Sequence, residues 1–480
     1  MKCKDEIAME EKGKRILLVS ILGRIGKEGF EEISEWLLRL LCVTPLITGI
    51  INYIMLLDIP SYDPYLYNYR CIIVSSIGFI LMTVFILFFI IGKIMHEHLG
   101  IKDILWKVKC REPWLLWWIA LLVWGIITVV ASAYPKSALL GGTILYSGYI
   151  THIYMICVMI CAYLLNDDGR RRVINTYVVV SDILAIIMIS FNYDLPFFNS
   201  FSGYAGVATF TNSNHYGYYL AMAIPCLAGL FLQKYDEADQ GKEKSNTSCI
   251  VFLVSYIIHM QAMVINDCMG AFLGVFFSLV FLTVFWIIRR RKFKLAYFMP
   301  VIILAVMVYL SYVGVITSVL GKTTGTSLRV LFYDIFRVAK KSEGYEEAGT
   351  NRIYLWKETI AAIKRNPVFG YGPDIMLDKN GNMCVSITPH NEFLECALYM
   401  GIPGAIMYLG GLISLFVNRL KNLKRLPDYM ITAACAVIGY QISAFFGVRK
   451  FHIVPYMFMF LGMIIMKESK GTEDEETKRV

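Results

Sequence analysis

The residues best suited to chemistry gather in the C-terminal half of the chain. His390 stands at the head of an apolar run, beside Asn391, Glu392 and Glu395. The positive end of a helix dipole disfavours imidazolium, whereas two carboxylates favour it. A histidine balanced between them can act as a base near neutral pH. The alternative is an interfacial histidine that caps the helix. Arg352 lies in the first turn of an amphipathic segment, four residues before Trp356. Such an arginine can grip a pyrophosphate through paired hydrogen bonds while the indole packs against lipid or sugar. It can equally snorkel to the interface. Arg329, Arg337, Lys364 and Arg365 are helpers in the same region, and Gly370-Tyr371-Gly372 is not read as a phosphate loop.

Ionisable residues inside apolar runs are costly and point to function or to packing. His152, Asp182, His259, Asn266-Asp267 and the stretch Arg449-Lys450-Phe451-His452 qualify. Asp267 and Arg449 either line a polar cavity or pair with one another. The sequence holds no Walker loop, Rossmann glycine pattern or zinc-type Cys/His cluster. An enzyme here has to use a donor already activated and already in the membrane.

The elements that must position these residues follow from composition. Of 480 residues, 57% are hydrophobic and only 17% charged, with a mean hydropathy of +0.57. Soluble domains keep about 25% charged residues. The apolar residues fall into runs of roughly 18 to 24, enough to cross a hydrocarbon core of ~30 Å. The chain therefore reads as an all-α polytopic membrane protein of about twelve transmembrane helices. The segments are 36–57, 71–92, 114–133, 143–165, 173–191, 215–233, 248–266, 270–288, 295–318, 396–416, 429–447 and 453–466. The pair around 248–288 has almost no connector and suggests a tight hairpin. The net charge of +9 sits in short clusters between apolar runs, which encodes topology rather than nucleic-acid binding. Most of the twelve cysteines lie inside apolar runs as small packers, not as a disulfide framework.

Alternate connectors are basic (93–111, 170–172, 234–244, 289–292, 419–425), which puts both termini inside and the long connector 319–395 outside. The chain divides into a cytoplasmic or interfacial segment (1–35), helices one to nine (36–318), that outer loop (319–395), helices ten to twelve (396–466) and a charged cytoplasmic tail (467–480). Within 1–35, Ile16 to Ile25 reads as an interfacial helix and not as a cleaved signal. In the loop, Leu328, Leu331, Ile335 and Val338 mark one amphipathic helix. A second runs from Thr350 or Asn351 to Asn366-Pro367, with Ile353, Trp356, Ile360 and Ile363 as its stripe. The two are expected to lie on the outer membrane surface as a lid.

Three ordered stretches carry a resemblance. Thr209-Phe210-Thr211-Asn212-Ser213-Asn214-His215 is similar to a Gly-Thr-Phe-x-Asn-Pro-Asn-His pattern. Arg352-x-x-x-Trp356 is followed by Asn366-Pro367-x-x-Gly370-x-Gly372. His390-Asn391-x-x-Leu394 precedes Gly401 and Gly404. Together, over roughly residues 200–415, they resemble the O-antigen ligase and polymerase superfamily. The resemblance implies a GT-C-like membrane fold in the cytoplasmic membrane of a bacterium. It implies transfer of an oligosaccharide from an undecaprenyl-type pyrophosphate carrier to a glycan, lipid or protein hydroxyl, with inversion and with neither metal nor cofactor. Arg352 would hold the pyrophosphate and His390 would orient or deprotonate the acceptor, with Arg329, Trp356, Asn214, His215, Asn391 and Arg449 as substrate contacts. The stretch Asp267-Cys268-Met269-Gly270 departs from the pattern in lacking an arginine. Arg449, Arg329 or Lys322 supplies a second cation, or the pyrophosphate is held differently. The rival reading is a transporter or flippase of a lipid-linked glycan, which would not need a histidine at a loop-to-helix junction.

Overall fold

Backbone amides inside a bilayer find no water, so a chain of long apolar runs satisfies them within helices. The structure is a computed structural model. It describes residues 27–58, 74–78, 80–88, 91–92, 113–141, 147–193, 207–210, 212–313, 333, 336–338, 340, 348–375, 388–420 and 423–465. Among these the regular elements are helices, with one isolated bridge between Val207 and Phe210. In chain order they are α1 (Lys27–Asp58), α2 (Val74–Phe88), α3 (Pro113–Ala131), α4 (Pro135–Leu140), α5 (Tyr149–Leu164), α6 (Asp167–Asn192) and α7 (Ser213–Asp239). There follow α8 (Glu243–Asn266), α9 (Met269–Arg290), α10 (Met299–Tyr312), α11 (Ala348–Arg365), α12 (Glu392–Leu420), α13 (Asp428–Ala444) and α14 (Val454–Met463).

Each apolar segment read from the sequence overlaps one of these helices. Seven (α1, α3, α6, α7, α8, α9 and α12) are long and apolar enough to cross a membrane. The Ile16–Ile25 helix, Arg329, Lys322 and the charged tail lie outside the described residues, as does most of the first loop helix.

Helix α7 stands at the centre, packed on α6, α8, α9 and α13, with 94% of its membrane-length window buried. Small residues allow this: a side chain at Gly439 of α13 would strike the Ala221 carbonyl of α7. Outward faces stay apolar, as with Ile250, Val251, Val254 and Ile257 of α8. The tight hairpin expected at 248–288 does not form. Asp267, in the left-handed region at φ +48, turns the chain so that α8 packs on α6, α7 and α10 while α9 packs on α7 and α13.

The two ends of the bundle differ in chemistry. At one end Arg290 joins Asp236 and Asp428, each at 2.7 Å, and Arg289 meets Asp428 at 2.9 Å. Buried Arg170 at that end donates to Tyr429, whose hydroxyl donates to Asp167. The opposite end gathers the start of α7, the α8–α9 link, the start of α12 and the α13–α14 loop.

Helix α12 unwinds part-way. Gly401 takes φ +68, the Ile402 amide donates to Pro367 at 2.8 Å, and Pro403 has no N–H to give. That frees the carbonyls of Leu398 and Tyr399, and they accept from the amides of Tyr371 and Gly372 at 3.0 and 2.9 Å. The turn after α11 thus completes a broken helix, satisfying groups that would be stranded in an apolar interior. The Asn366 side-chain amide donates to the Gly370 carbonyl and tightens the same turn. Replacing Gly401 by Ala would force a left-handed alanine and drive its Cβ into the Val368 carbonyl. The cost is on the order of 3 kcal/mol, and it should appear as a lower thermal unfolding midpoint of purified Gly401→Ala in detergent.

Candidate functional site

The site is built around the first residues of α12. The Asn391 side chain accepts the amides of Phe393 and Leu394, each at 3.0 Å, so Asn391 caps the helix and His390 does not. Its side chain is thereby spent on the backbone. His390 itself takes φ +46, a left-handed conformation uncommon for a bulky residue and often associated with functional positions. Trp356 donates its indole N–H to the Pro389 carbonyl at 2.9 Å and packs on Phe445 and Phe446. The indole, expected against lipid or sugar, props the backbone next to His390.

The carboxylates expected beside the imidazole turn elsewhere. Glu392 accepts from Tyr408 and Tyr440 at 2.9 and 3.0 Å and pairs with Arg449 at 2.9 Å. Glu395 accepts the Arg449 amide at 3.1 Å. Arg449 also donates from Nη1 to Nε2 of His152 at 2.7 Å and lies over the Tyr408 ring. It pairs with Glu392 and not with Asp267, and at 3% exposure it braces the site from within.

What acts on His390 instead is Arg352. The arginine shares one face of α11 with Trp356, Thr359 and Ile363. Thr359 and Ile363 are buried, so this face turns inward. Ile360, assigned to the apolar stripe from sequence, is 42% exposed. Burial first, and then the Arg352 charge, lower the His390 pKa to about 4. The imidazole is therefore neutral at physiological pH and able to accept a proton. The Arg352 charge also reaches Tyr218 and Cys268, the latter within the stretch Asp267–Gly270 that has no arginine of its own.

His215, in the first turn of α7, meets His452 edge-to-face with ring centroids 5.1 Å apart. His452, Lys450 and His390 all lie within electrostatic reach of His215. Asn214, beside it, accepts from the Cys268 thiol at 3.2 Å. The end of the bundle thus brings together Arg352, His390, His215, His452 and Lys450. Among the described residues no His/Cys/Asp/Glu group is arranged to hold a metal ion. Tyr218 is the addition that sequence reasoning missed, and Lys450 and His452 entered it only as part of a stretch read as functional or as packing. The Arg449–His452 stretch stands out in the sequence, but its arginine takes the assignment there because guanidinium suits pyrophosphate.

Residues 254–409 match the family model described as O-antigen ligase. Over these residues the chain is similar to the O-antigen ligase family. A protein of Rickettsia conorii, provisionally named a polysaccharide ligase, is 25% identical over 118 residues, 22% of this chain and 28% of that protein. The chain thus spans just over a quarter of the curated relative it matches. No solved structure matches the chain. The O-antigen ligase segment contains Arg352, Trp356, His390 and Asn391, while Asn214, His215, Arg449, Lys450 and His452 lie outside it. Folding joins the two sets.

Removing one member of the Arg449–Glu392 pair leaves a buried charge uncompensated, at about 3–5 kcal/mol. Arg449→Met should therefore unfold at a clearly lower temperature. Glu392→Leu combined with Arg449→Met should recover more than half of that loss in a double-mutant cycle. No recovery would mean that the two side chains act independently.

Proposed function

We propose that the protein transfers a glycan from a polyprenyl pyrophosphate carrier to an acceptor hydroxyl at the outer face of a bacterial cytoplasmic membrane, as a surface polysaccharide polymerase or ligase. The observation that carries this reading is the meeting of Arg352 and His390, distant in sequence, inside the O-antigen ligase segment. The segregation of charge supports an orientation with the Arg170 and Arg289–Lys292 end in the cytoplasm, both termini with it, and the site outside. About twelve crossings fit that arrangement.

In this scheme the acceptor oxygen attacks the anomeric carbon as the bond from that carbon to the pyrophosphate oxygen breaks. The hydroxyl proton passes to neutral His390, and attack from the opposite side inverts the anomeric centre. The carrier pyrophosphate leaves with the bonding electrons, and Arg352 stabilises the charge that develops on it. Neither a metal nor a cofactor enters the scheme.

His390→Ala should lower the transfer rate by roughly 10²- to 10⁴-fold and Arg352→Ala by about 10²- to 10³-fold. In the native host both should shorten the glycan seen on gels while exported, carrier-linked units build up. Wild-type glycan from correctly inserted variants would remove the assignment, and carrier-linked units trapped on the cytoplasmic leaflet would point to transport.

The pH profile offers a second check. Without donor, the acid limb of kcat/KM should fall toward the His390 value of about 4, because protonation removes the base. A bound pyrophosphate offsets the Arg352 charge and lets His390 rise toward its ordinary 6.5. The acid limb of kcat should therefore lie at higher pH than that of kcat/KM. Coincident limbs would separate His390 from the anion site.

A further inference from the structure

We infer that a cleft between the start of α1 and the first turns of α6 binds the headgroup of a zwitterionic aminophospholipid. Its ammonium would sit on Glu28 and Glu32, and its phosphate on Arg39 and Arg172. The cleft has a volume of about 390 Å³ and reaches Asn166 and Gly169, at the Arg170 end of the bundle and away from His390. Its occupancy is therefore independent of the transfer reading. Four glutamates (Glu28, Glu31, Glu32 and Glu35) and two arginines (Arg39 and Arg172) line it. Both charge signs in one recess suit a ligand that carries both, and the majority of carboxylates disfavours a purely anionic one.

Buried Glu35 anchors both arginines. Arg172 donates to it from Nε and Nη2, each at 2.7 Å, and Nη1 of Arg39 lies 3.7 Å from the same carboxylate. Nε of Arg39 donates to Thr176 at 3.1 Å. Nη1 of Arg172 and Nη2 of Arg39 take part in none of these bonds, and the two side chains keep exposures of 53% and 36%. Such N–H groups suit phosphate oxygens. Glu31 accepts from Asn166 at 3.1 Å. Glu28 and Glu32 are exposed and have no partner among the described residues, which leaves two carboxylates for an ammonium with its three N–H donors.

The order of charges along α1 matches such a headgroup. Glu28 and Glu32 come first, and Arg39 follows Glu32 about 10 Å further into the membrane. A phospholipid sits in its leaflet with the phosphate nearer the hydrocarbon than the ammonium. Helical side chains lean toward the N-terminus, which brings the Arg39 guanidinium back toward the carboxylates. Trp36, between them, is 62% exposed and lies 5.0 Å beneath that guanidinium. An exposed indole near the end of a membrane-length helix marks the headgroup level. Ile33 and Leu40, exposed on the same face, offer a surface for acyl chains.

The test uses the full chain in phosphatidylglycerol nanodiscs doped with phosphatidylethanolamine or phosphatidylcholine of the same acyl chains. Native mass spectrometry counts the lipid that stays bound. Phosphatidylcholine keeps the phosphate, but its quaternary ammonium has no N–H to donate. Wild-type protein should retain phosphatidylethanolamine roughly 10-fold over phosphatidylcholine, the difference set by charge-assisted hydrogen bonds. Glu28→Gln combined with Glu32→Gln should bring that preference below about 3-fold, and Arg39→Gln should weaken retention of both lipids. Equal retention of the two lipids by wild-type protein, or an undiminished preference in the double variant, overturns the inference. Displacement of the lipid by an equal concentration of soluble phosphoethanolamine also overturns it, and assigns the cleft to a free amine. If the double variant does not fold, Glu32→Gln alone decides the question: a full preference overturns the inference, and a reduced one supports it.

Discussion

Arg449 and Glu392 meet where water is excluded, and the arrangement of the site follows from that contact. Glu392 lies two residues after His390, and Arg449 immediately precedes Lys450. The same ion pair collects Tyr408 from α12, Tyr440 from α13 and His152 from α5. A buried pair adds little net stability over apolar packing, yet it penalises every arrangement in which its members separate. Here it selects one relation between the head of α12 and the α13–α14 loop. His390 and His452, one on each element, inherit that relation.

A second constraint is backbone satisfaction. Gly401 and Pro403 interrupt α12, and the Pro367–Gly372 turn supplies the missing partners. The glycines of that turn, which as a motif can suggest a phosphate loop, are needed for close approach of two backbones. Gly370 and Gly372 take φ +65 and +99, and a side chain at Gly370 would meet the α12 backbone. The seating of α11, which carries Arg352, and the satisfaction of the α12 backbone are therefore handled by the same loop.

The legible and illegible parts of the sequence divide along this line. Apolar runs are legible because lipid leaves the backbone few choices, so each predicted segment falls on a helix. The amphipathic α11, and the grouping of Arg352 with His390, are equally visible in local pattern and motif order. Pairings across the bundle are not. Nothing local distinguishes Asn391 from His390 as the cap, or directs Arg449 to Glu392 in preference to Asp267. The two-residue link at Asp267-Cys268 suggests a hairpin until α7 is known to offer both helices better surfaces. The meeting of His452 with His215 emerges only when the start of α7 is laid against the last loop.

Helix α11 has one further property. It is anchored at its C-terminal end, where the Pro367–Gly372 turn is bonded into α12 and Phe369 stacks on Trp124. From Asn366 back to Arg352 is about 21 Å of helix. Mechanically this is a lever with its guanidinium far from that anchor. A tilt of about 10° at the anchor would carry Arg352 by roughly 4 Å over that length. The hydrogen bond from Trp356 to Pro389, one turn from Arg352, is the latch that sets the angle. The reach of the arginine is thus governed by an indole that need never touch the substrate.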